Sequence, residues 1–123
     1  MYTFKQSTGE FFDYDGTLLG KGVAGQGAGL NNPAMQDVHN IGPLPRGTYS
    51  IGTPYTHPHL GPLTFNLTPD PSNEMFGRSS FRIHGFASVH PELSSEGCIT
   101  QHHDVRAYVA SHLSTQSQVE VVE

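Results

Sequence analysis

Residues 80–100 of the chain read SFRIHGFASVHPELSSEGCIT, and this stretch carries most of the chemistry that the sequence offers. It holds the only cysteine, Cys98, with two histidines upstream at His84 and His90. A lone thiol near histidines is compatible with three arrangements: a nucleophile with its base, part of a metal site, or a buried thiol without chemistry of its own. The flanking residues have to decide among them.

The first residues of this stretch predict a β-strand over 80–84. Phe81 and Ile83 alternate with Arg82 and His84, and successive side chains of a strand point to opposite faces. When Phe81 and Ile83 enter the core, Arg82 and His84 point together toward solvent or a cleft. We therefore expect His84 to face a cleft.

The composition favours a mainly β domain. Only 14% of the residues are charged, whereas 14 glycines and 9 prolines interrupt the chain. Such a chain is rich in turns and strands and poor in long helices. Because 123 residues suit one hydrophobic core, we expect a single β-rich α+β domain over residues 1–123.

The charge distribution argues against two classes of partner. The formal net charge is −5, and the six lysines and arginines are scattered singly along the chain. A nucleic-acid-binding protein needs a basic stripe to neutralise phosphates, and an anionic membrane surface makes a similar demand. We expect neither nucleic acid nor a membrane as a partner.

The periodicity predicts the order of the elements. Residues 1–20 read as a β-meander, because aromatic and β-branched residues are separated by turn-forming glycines. The predicted strands cover 2–5, 10–14, 17–19, 48–51, 63–67, 80–84 and 118–122. A helical stripe of Val105, Tyr108, Val109, His112 and Leu113 predicts one substantial helix that begins near His103 or Asp104. The Gly-rich residues 20–40 follow neither period, so we expect a long loop, which is a candidate cap for the cleft.

The flanks of Cys98 favour a reactive thiol. Free cysteine is often a core residue, but residues 94–97 are polar and turn-forming. A thiol directly after a glycine, between a loop and a helix, meets several backbone N–H groups. Such donors lower a thiol pKa and stabilise an oxyanion, so we expect a nucleophile with a lowered pKa.

The histidines do not match a zinc pattern. Structural zinc sites use two or more cysteines, or two histidines one turn apart on a helix. His57 and His59 flank a proline in what reads as a surface loop, and the adjacent His102 and His103 diverge on a helix. We expect no metal and no other cofactor, and a metal role is the minor alternative.

The choice of base is open at this stage. A thiol nucleophile needs a base within hydrogen-bond reach and a third group that orients the base. His84 lies at the end of a predicted strand, whereas His90 lies in the following loop, directly before Pro91. Only geometry can decide between them.

The ordered motifs resemble a known family. Ile83-His84-Gly85, a spacer and then residues 95–99 (SEGCI) are similar to the signature of YkuD-type L,D-transpeptidases. Upstream, residues 31–33 (NNP) and 41–49 (IGPLPRGTY) extend the similarity to the Tlde family of L,D-transpeptidase-like effectors of type VI secretion. The chain departs from many housekeeping members by Glu96 before the Gly-Cys pair and by Thr100-Gln101 after Ile99.

The resemblance implies a YkuD-like catalytic domain that acts on the tetrapeptide stems of peptidoglycan. The cysteine of such enzymes attacks the carbonyl of the L-centre of meso-diaminopimelate at position three, expels D-alanine and forms a thioester. Water then completes an L,D-carboxypeptidase reaction, whereas a D-amino acid or a neighbouring stem completes exchange or a cross-link. The sequence leaves the choice of acceptor open.

The resemblance also implies the roles of the site residues. The implied catalytic residues are Cys98, His84, Gly85 and Gly97, and the implied substrate contacts are Ser95 and Arg82. In this scheme Cys98 is the nucleophile, His84 is the base, and the Gly85 carbonyl orients His84. The N–H groups of Gly97 and Cys98 bind the oxyanion. Ser95 shapes the turn or touches the substrate, and Arg82 either pairs with a stem carboxylate or is an ordinary exposed charge of the strand.

The sequence also raises expectations about location and partners. The opening residues show no basic and apolar regions of a signal peptide, and no segment approaches the roughly 18 apolar residues of a membrane span. We expect a protein made in the cytoplasm without a signal peptide, delivered by type VI machinery and acting in the periplasm of a target cell. The implied partners are peptidoglycan stem peptides, a cognate immunity protein and a component of the secretion machine.

Two other functions compete with this expectation. One is a peptidoglycan-binding module that kept the fold but lost catalysis, which the departures near Cys98 would explain. The other is a cysteine peptidase or amidase that cuts a different bond of the stem.

Overall fold

A computed structural model describes residues 1–86 and 96–123 of the chain. These residues form nine β-strands and one α-helix. The elements are β1 (Tyr2–Lys5), β2 (Glu10–Phe12), β3 (Leu18–Lys21), β4 (Gly47–Ile51), β5 (Tyr55–His57), β6 (Gly61–Pro69), β7 (Arg82–His84), β8 (Ile99–Thr100), α1 (His103–Ser111) and β9 (Gln118–Val122). The expected mainly β fold, with its helix after Cys98, is confirmed.

Pairing joins the described strands into one sheet in the order β3, β2, β1, β9, β4, β6, β7 and β8, with β5 paired to β6. The first and last strands, β1 and β9, are parallel neighbours. At the far edge β7 and β8 are also parallel. Apolar side chains at alternate positions of these strands pack with those of α1 into one hydrophobic core. This core includes Tyr2, Phe4, Phe11, Tyr49, Phe65, Ile83, Ile99, Val109 and Val119.

The observed bounds differ from the predicted ones where tertiary pairing decides. β2 ends at Phe12, because the backbone turns back through the bond from the Asp13 N–H to the Thr17 carbonyl. The sequence pattern missed β5 and β8, which are only three and two residues long. Both exist because a longer neighbour supplies their hydrogen bonds. β8 also separates Cys98 from α1, so the thiol does not lie directly at the start of the helix.

The Gly-rich residues 20–40 pack closely against the body of the fold. Val23 exchanges two backbone hydrogen bonds with Thr100 of β8. A side chain at Gly22 would collide with the Thr100 carbonyl, so glycine is required for this close approach. Two residues of the segment, His39 and Asn40, line the cavity described below.

The helices of residues 1–86 and 96–123 are short. None of the helices in this part of the chain combines the length and the apolar character that crossing a bilayer requires.

Candidate active site

The parallel pairing of β7 with β8 brings the candidate residues to one face of the sheet. His84 lies opposite Thr100 in the register. The same register, continued by one residue, places Arg82 beside Cys98. Because paired residues of neighbouring strands share a face, Arg82, His84 and Cys98 project to the same side. The opposite face of β7 carries Ile83 into the core.

These three side chains line one cavity of about 700 Å³. That volume lies within the usual range for small-molecule and peptide sites. Its wall also includes Glu96 and three histidines, His39, His57 and His59. The structure therefore brings Cys98, His84 and Arg82 together in a polar cavity.

His84 is held in a defined orientation. Its side chain is only 2% exposed, and its Nδ1 lies 2.8 Å from the Gly85 carbonyl oxygen. Since a carbonyl oxygen can only accept, Nδ1 carries the proton and donates it. In the neutral ring Nε2 is then the atom with a free lone pair, as a general base requires. The contact with Gly85 that the resemblance implies is present.

Arg106 of α1 stabilises the backbone around His84, and the sequence did not predict this role. Its buried guanidinium donates to the carbonyls of Pro62 (2.7 Å) and Gln101 (3.1 Å). The same group covers Gly85, where an added Cβ would lie 2.8 Å from Nη2 of Arg106. Gln101 in turn donates its backbone N–H to the His84 carbonyl at 3.0 Å. Arg106 thus binds the two segments that flank β7 in the sheet, β6 through Pro62 and the chain directly after β8 through Gln101.

Arg78 supports the backbone that precedes Cys98. Its guanidinium donates to the carbonyls of Gly42 and Glu96 at 2.9 and 3.3 Å. It also lies 5.1 Å from the centre of the Phe81 ring, which is within cation–π distance. Gly97 passes directly over this guanidinium.

Replacing Gly97 by alanine is expected to lower the free energy of unfolding by about 2 kcal/mol or more. Gly97 has φ +131°, and an added Cβ would lie 2.5 Å from Nη2 of Arg78 and 2.9 Å from the Phe81 ring. Gly16→Ala is the matched control, because Gly16 also has positive φ (+86°) but has no atom within 4 Å of an added Cβ. Chemical denaturation of both variants measures the difference. Equal losses would show that the crowding at Gly97 is unimportant.

Burial sets the protonation states of the two central groups. It lowers the pKa of His84, and the positive charges of Arg106 and Arg82 lower it further, against the opposing hydrogen bond to Gly85. Burial also raises the pKa of the Cys98 thiol, although a backbone hydrogen bond from Arg82 and its charge act in the other direction. The expectation of a lowered thiol pKa is therefore wrong, because desolvation outweighs the donors. At neutral pH these two directions favour a neutral thiol and a neutral imidazole.

Two candidates from the sequence lie outside the described residues. These are Ser95, the implied substrate contact, and His90, the rival base, which both fall within residues 87–95. The choice between His84 and His90 thus stays a prediction.

His57, at the end of β5, and the exposed His59, in the turn that follows, both line the cavity. Nδ1 of His57 accepts the backbone N–H groups of His59 (3.0 Å) and Leu60 (3.1 Å). The neutral His57 ring therefore carries its proton on Nε2, where it is a donor. Within residues 1–86 and 96–123, no three His, Cys, Asp or Glu side chains are placed to hold a metal ion.

Comparisons with known proteins agree with this picture. Among solved structures, an L,D-transpeptidase from Mycobacterium smegmatis superposes with a TM-score of 0.51 at 18% sequence identity, over 99% of this chain and 58% of that chain. A likeness at this identity shows the fold, and the chain spans less than two thirds of that structure. A search of curated proteins found no match. The family model described as the Tlde1 domain matches residues 21–123, and the chain therefore belongs to the Tlde1 domain family, on an L,D-transpeptidase fold.

Proposed function

We propose that this chain is a cysteine acyl-transfer enzyme that acts on the tetrapeptide stems of peptidoglycan, as an L,D-carboxypeptidase or an L,D-transpeptidase. One observation carries the proposal: Cys98, directly before β8, and an oriented His84 at the end of the neighbouring β7 line the same cavity. The L,D-transpeptidase fold and the family membership support the substrate class. Residues 1–123 form the catalytic domain, which the pairing of β1 with β9 from the two ends of the chain supports.

The chemistry begins with proton transfer. Nε2 of His84 takes the thiol proton as Sγ of Cys98 attacks the carbonyl carbon of the L-centre of meso-diaminopimelate. The bond to the D-alanine nitrogen then breaks, and the His84 imidazolium protonates the leaving amine. The product is a thioester on Cys98. Water or a D-amino acid, deprotonated by neutral His84, attacks that thioester and regenerates the thiol.

The other residues of the site bind the substrate or position the nucleophile. Arg82 pairs with a carboxylate of the stem. Gly97 shapes the turn before the nucleophile. The oxyanion donors expected at Gly97 and Cys98 and the substrate contact expected at Ser95 stay predictions.

The test is digestion of purified tetrapeptide muropeptides, with the products identified by mass spectrometry. We expect the wild type to release D-alanine and leave a tripeptide stem, and Cys98→Ala to release none. Indistinguishable wild type and Cys98→Ala would refute the enzymatic role. Binding to sacculi without any product would indicate a binding module, and a different fragment mass would indicate a peptidase or amidase.

The activity is expected to fall at acid pH with a midpoint below about pH 6.5, the ordinary pKa of histidine. The pKa of His84 is lowered, so the ring stays neutral and able to accept the thiol proton at neutral pH. Activity falls only where the pH drops below this lowered pKa and the ring becomes protonated. The profile of kcat/KM for D-alanine release reports this midpoint.

Arg106→Gln should move that midpoint to higher pH, because the charge of Arg106 lowers the pKa of His84. Arg106→Lys, which keeps the charge, is the control. A wild-type midpoint above about pH 6.5, or no shift in Arg106→Gln, would contradict this description of the base.

We also propose that the enzyme is an antibacterial effector delivered by type VI secretion to the periplasm of a target cell, with a cognate immunity protein. The resemblance of its motifs to such effectors supports this role. Expression in a bacterial host with an added export signal should arrest growth, and expression without that signal should not. Toxicity that persists in Cys98→Ala, or that needs no export, would count against the role.

A further inference from the structure

Arg82 lines the cavity and is the cationic residue nearest to Cys98 in the strand register. Its guanidinium donates hydrogen bonds to two neutral acceptors. Its Nε donates to the Tyr55 hydroxyl at 3.2 Å, and its Nη1 donates to the Ser80 carbonyl at 3.3 Å. The Tyr55 hydroxyl donates in turn to Oδ1 of Asn66 at 2.7 Å. Within the described part of the chain, no carboxylate forms an ion pair with Arg82. Among residues 1–86 and 96–123, the charge of Arg82 is therefore left for a bound anion.

These contacts form a relay across three neighbouring strands. Tyr55 lies on β5, Asn66 on β6 and Arg82 on β7, and Asn66 is the direct cross-strand partner of Arg82. A hydroxyl has one proton to donate and lone pairs to accept with. The Tyr55 hydroxyl donates its hydrogen bond to Oδ1 of Asn66. A lone pair of the same oxygen therefore accepts the hydrogen bond from Nε of Arg82. With Nε and Nη1 both held by neutral acceptors, the plane of the guanidinium has a defined orientation in which Nη2 can meet a ligand.

The position of Arg82 selects which carboxylate it can reach. The register of β7 and β8, continued by one residue, places Arg82 beside Cys98, and both a backbone hydrogen bond from Arg82 and its charge act on the Cys98 thiol. In a tetrapeptide stem, only the amide nitrogen and one Cα separate the attacked carbonyl carbon from the terminal carboxylate of the leaving D-alanine. That carboxylate must lie close to the thiol whenever the substrate is aligned for attack.

We propose that Tyr55 and Asn66 are positioning residues that hold Arg82 as the receptor for the terminal carboxylate of the leaving residue. This inference rests on the proposed function. It makes the enzyme selective for stems that end one residue after the attacked carbonyl. A stem with a further residue, or with an amidated terminus, places a neutral amide beside Arg82 and leaves the guanidinium without its anion.

The experiment measures binding in the Cys98→Ala background, so that it does not depend on turnover. The probes are three tetrapeptides: the free acid, the C-terminal amide, and the peptide amidated only on the distal carboxylate of diaminopimelate. We expect terminal amidation to weaken binding roughly tenfold to hundredfold, as the loss of a charge-assisted hydrogen-bonded pair does. Distal amidation should change it less than about threefold.

Tyr55→Phe removes only the hydroxyl of the relay. In the same background we expect it to weaken binding of the free acid about threefold to tenfold, while binding of the C-terminal amide stays unchanged. Arg82→Gln should abolish the preference for the free acid. Tyr14→Phe is the control, because Tyr14 is an exposed tyrosine that does not line this cavity.

Each other result overturns the inference. Equal binding of the free acid and the C-terminal amide, beside a wild type that releases D-alanine, overturns this inference and leaves the proposed function standing. A loss confined to the distally amidated peptide assigns Arg82 to a different carboxylate. Equal weakening of both ligands by Tyr55→Phe reveals a merely structural role. Absence of both binding and D-alanine release overturns the inference and the proposed function together.

Discussion

Replacing Arg78 by methionine is expected to lower the free energy of unfolding by about 3–5 kcal/mol. Arg78 is only 6% exposed. Its guanidinium donates to four backbone carbonyls, those of Gln36 (2.7 Å), Pro43 (2.7 Å), Gly42 (2.9 Å) and Glu96 (3.3 Å). Methionine fills similar space but offers no donor. The loss leaves carbonyls on three separate segments without their shared partner, and each unsatisfied buried acceptor costs about 1–3 kcal/mol.

Arg46→Met is the matched control for this prediction. The side chain of Arg46 is 41% exposed, and it donates one hydrogen bond of 3.2 Å to Oε1 of Gln6, which contributes about 1 kcal/mol. Its ion pair with Glu123 spans 3.5 Å at the surface. Pairs of this kind contribute about 1 kcal/mol or less. Denaturant unfolding of both variants, compared at similar m-values, measures the difference. A loss for Arg78→Met no larger than that for Arg46→Met would show that the carbonyl cluster does not depend on the guanidinium.

Replacing His84 by alanine is expected to lower the rate of D-alanine release by about a thousandfold, within the usual range for a general base. The raised pKa of Cys98 makes this dependence strong. A thiol that is protonated at neutral pH cannot attack until a base removes its proton. His84, whose Nδ1 proton is held by the Gly85 carbonyl, is the proposed base.

His103→Ala is the control, because His103 is an exposed histidine at the start of α1 and does not line the cavity. It should retain wild-type activity. Circular dichroism and unfolding curves should show that both variants are folded. Full activity in His84→Ala, together with its loss in His90→Ala, would assign the base to His90 instead.

Strand alternation was sufficient to predict the central part of the fold. The strands over 2–5 and 118–122 match β1 and β9, because each has apolar side chains at every second position and both pack in the core. The helix begins at His103 as its apolar stripe indicates. The short strands β5 and β8 could not be predicted, since the hydrogen bonds that define them come from β6 and β7, which are distant in sequence or separated by a loop.

The candidate site was predictable to a similar extent. The alternation over 80–84 placed Arg82 and His84 together, and the glycine before Cys98 favoured a nucleophile, which stays a prediction. Nothing in the sequence distinguished Arg78 or Arg106 from ordinary surface charges, because their partners are carbonyl groups contributed by distant segments. The thiol pKa was predicted in the wrong direction, because burial depends on the assembled fold rather than on the neighbours of Cys98.

The most direct test of the central claim is to trap the acyl group that Cys98 is proposed to carry. Tetrapeptide muropeptides are incubated with the enzyme and increasing hydroxylamine, and the products are identified by mass spectrometry. A thioester predicts that a tripeptide hydroxamate appears at the expense of the tripeptide acid, and that Cys98→Ala forms neither. Release of D-alanine by Cys98→Ala, or release by the wild type with no hydroxamate at any hydroxylamine concentration, would contradict the account.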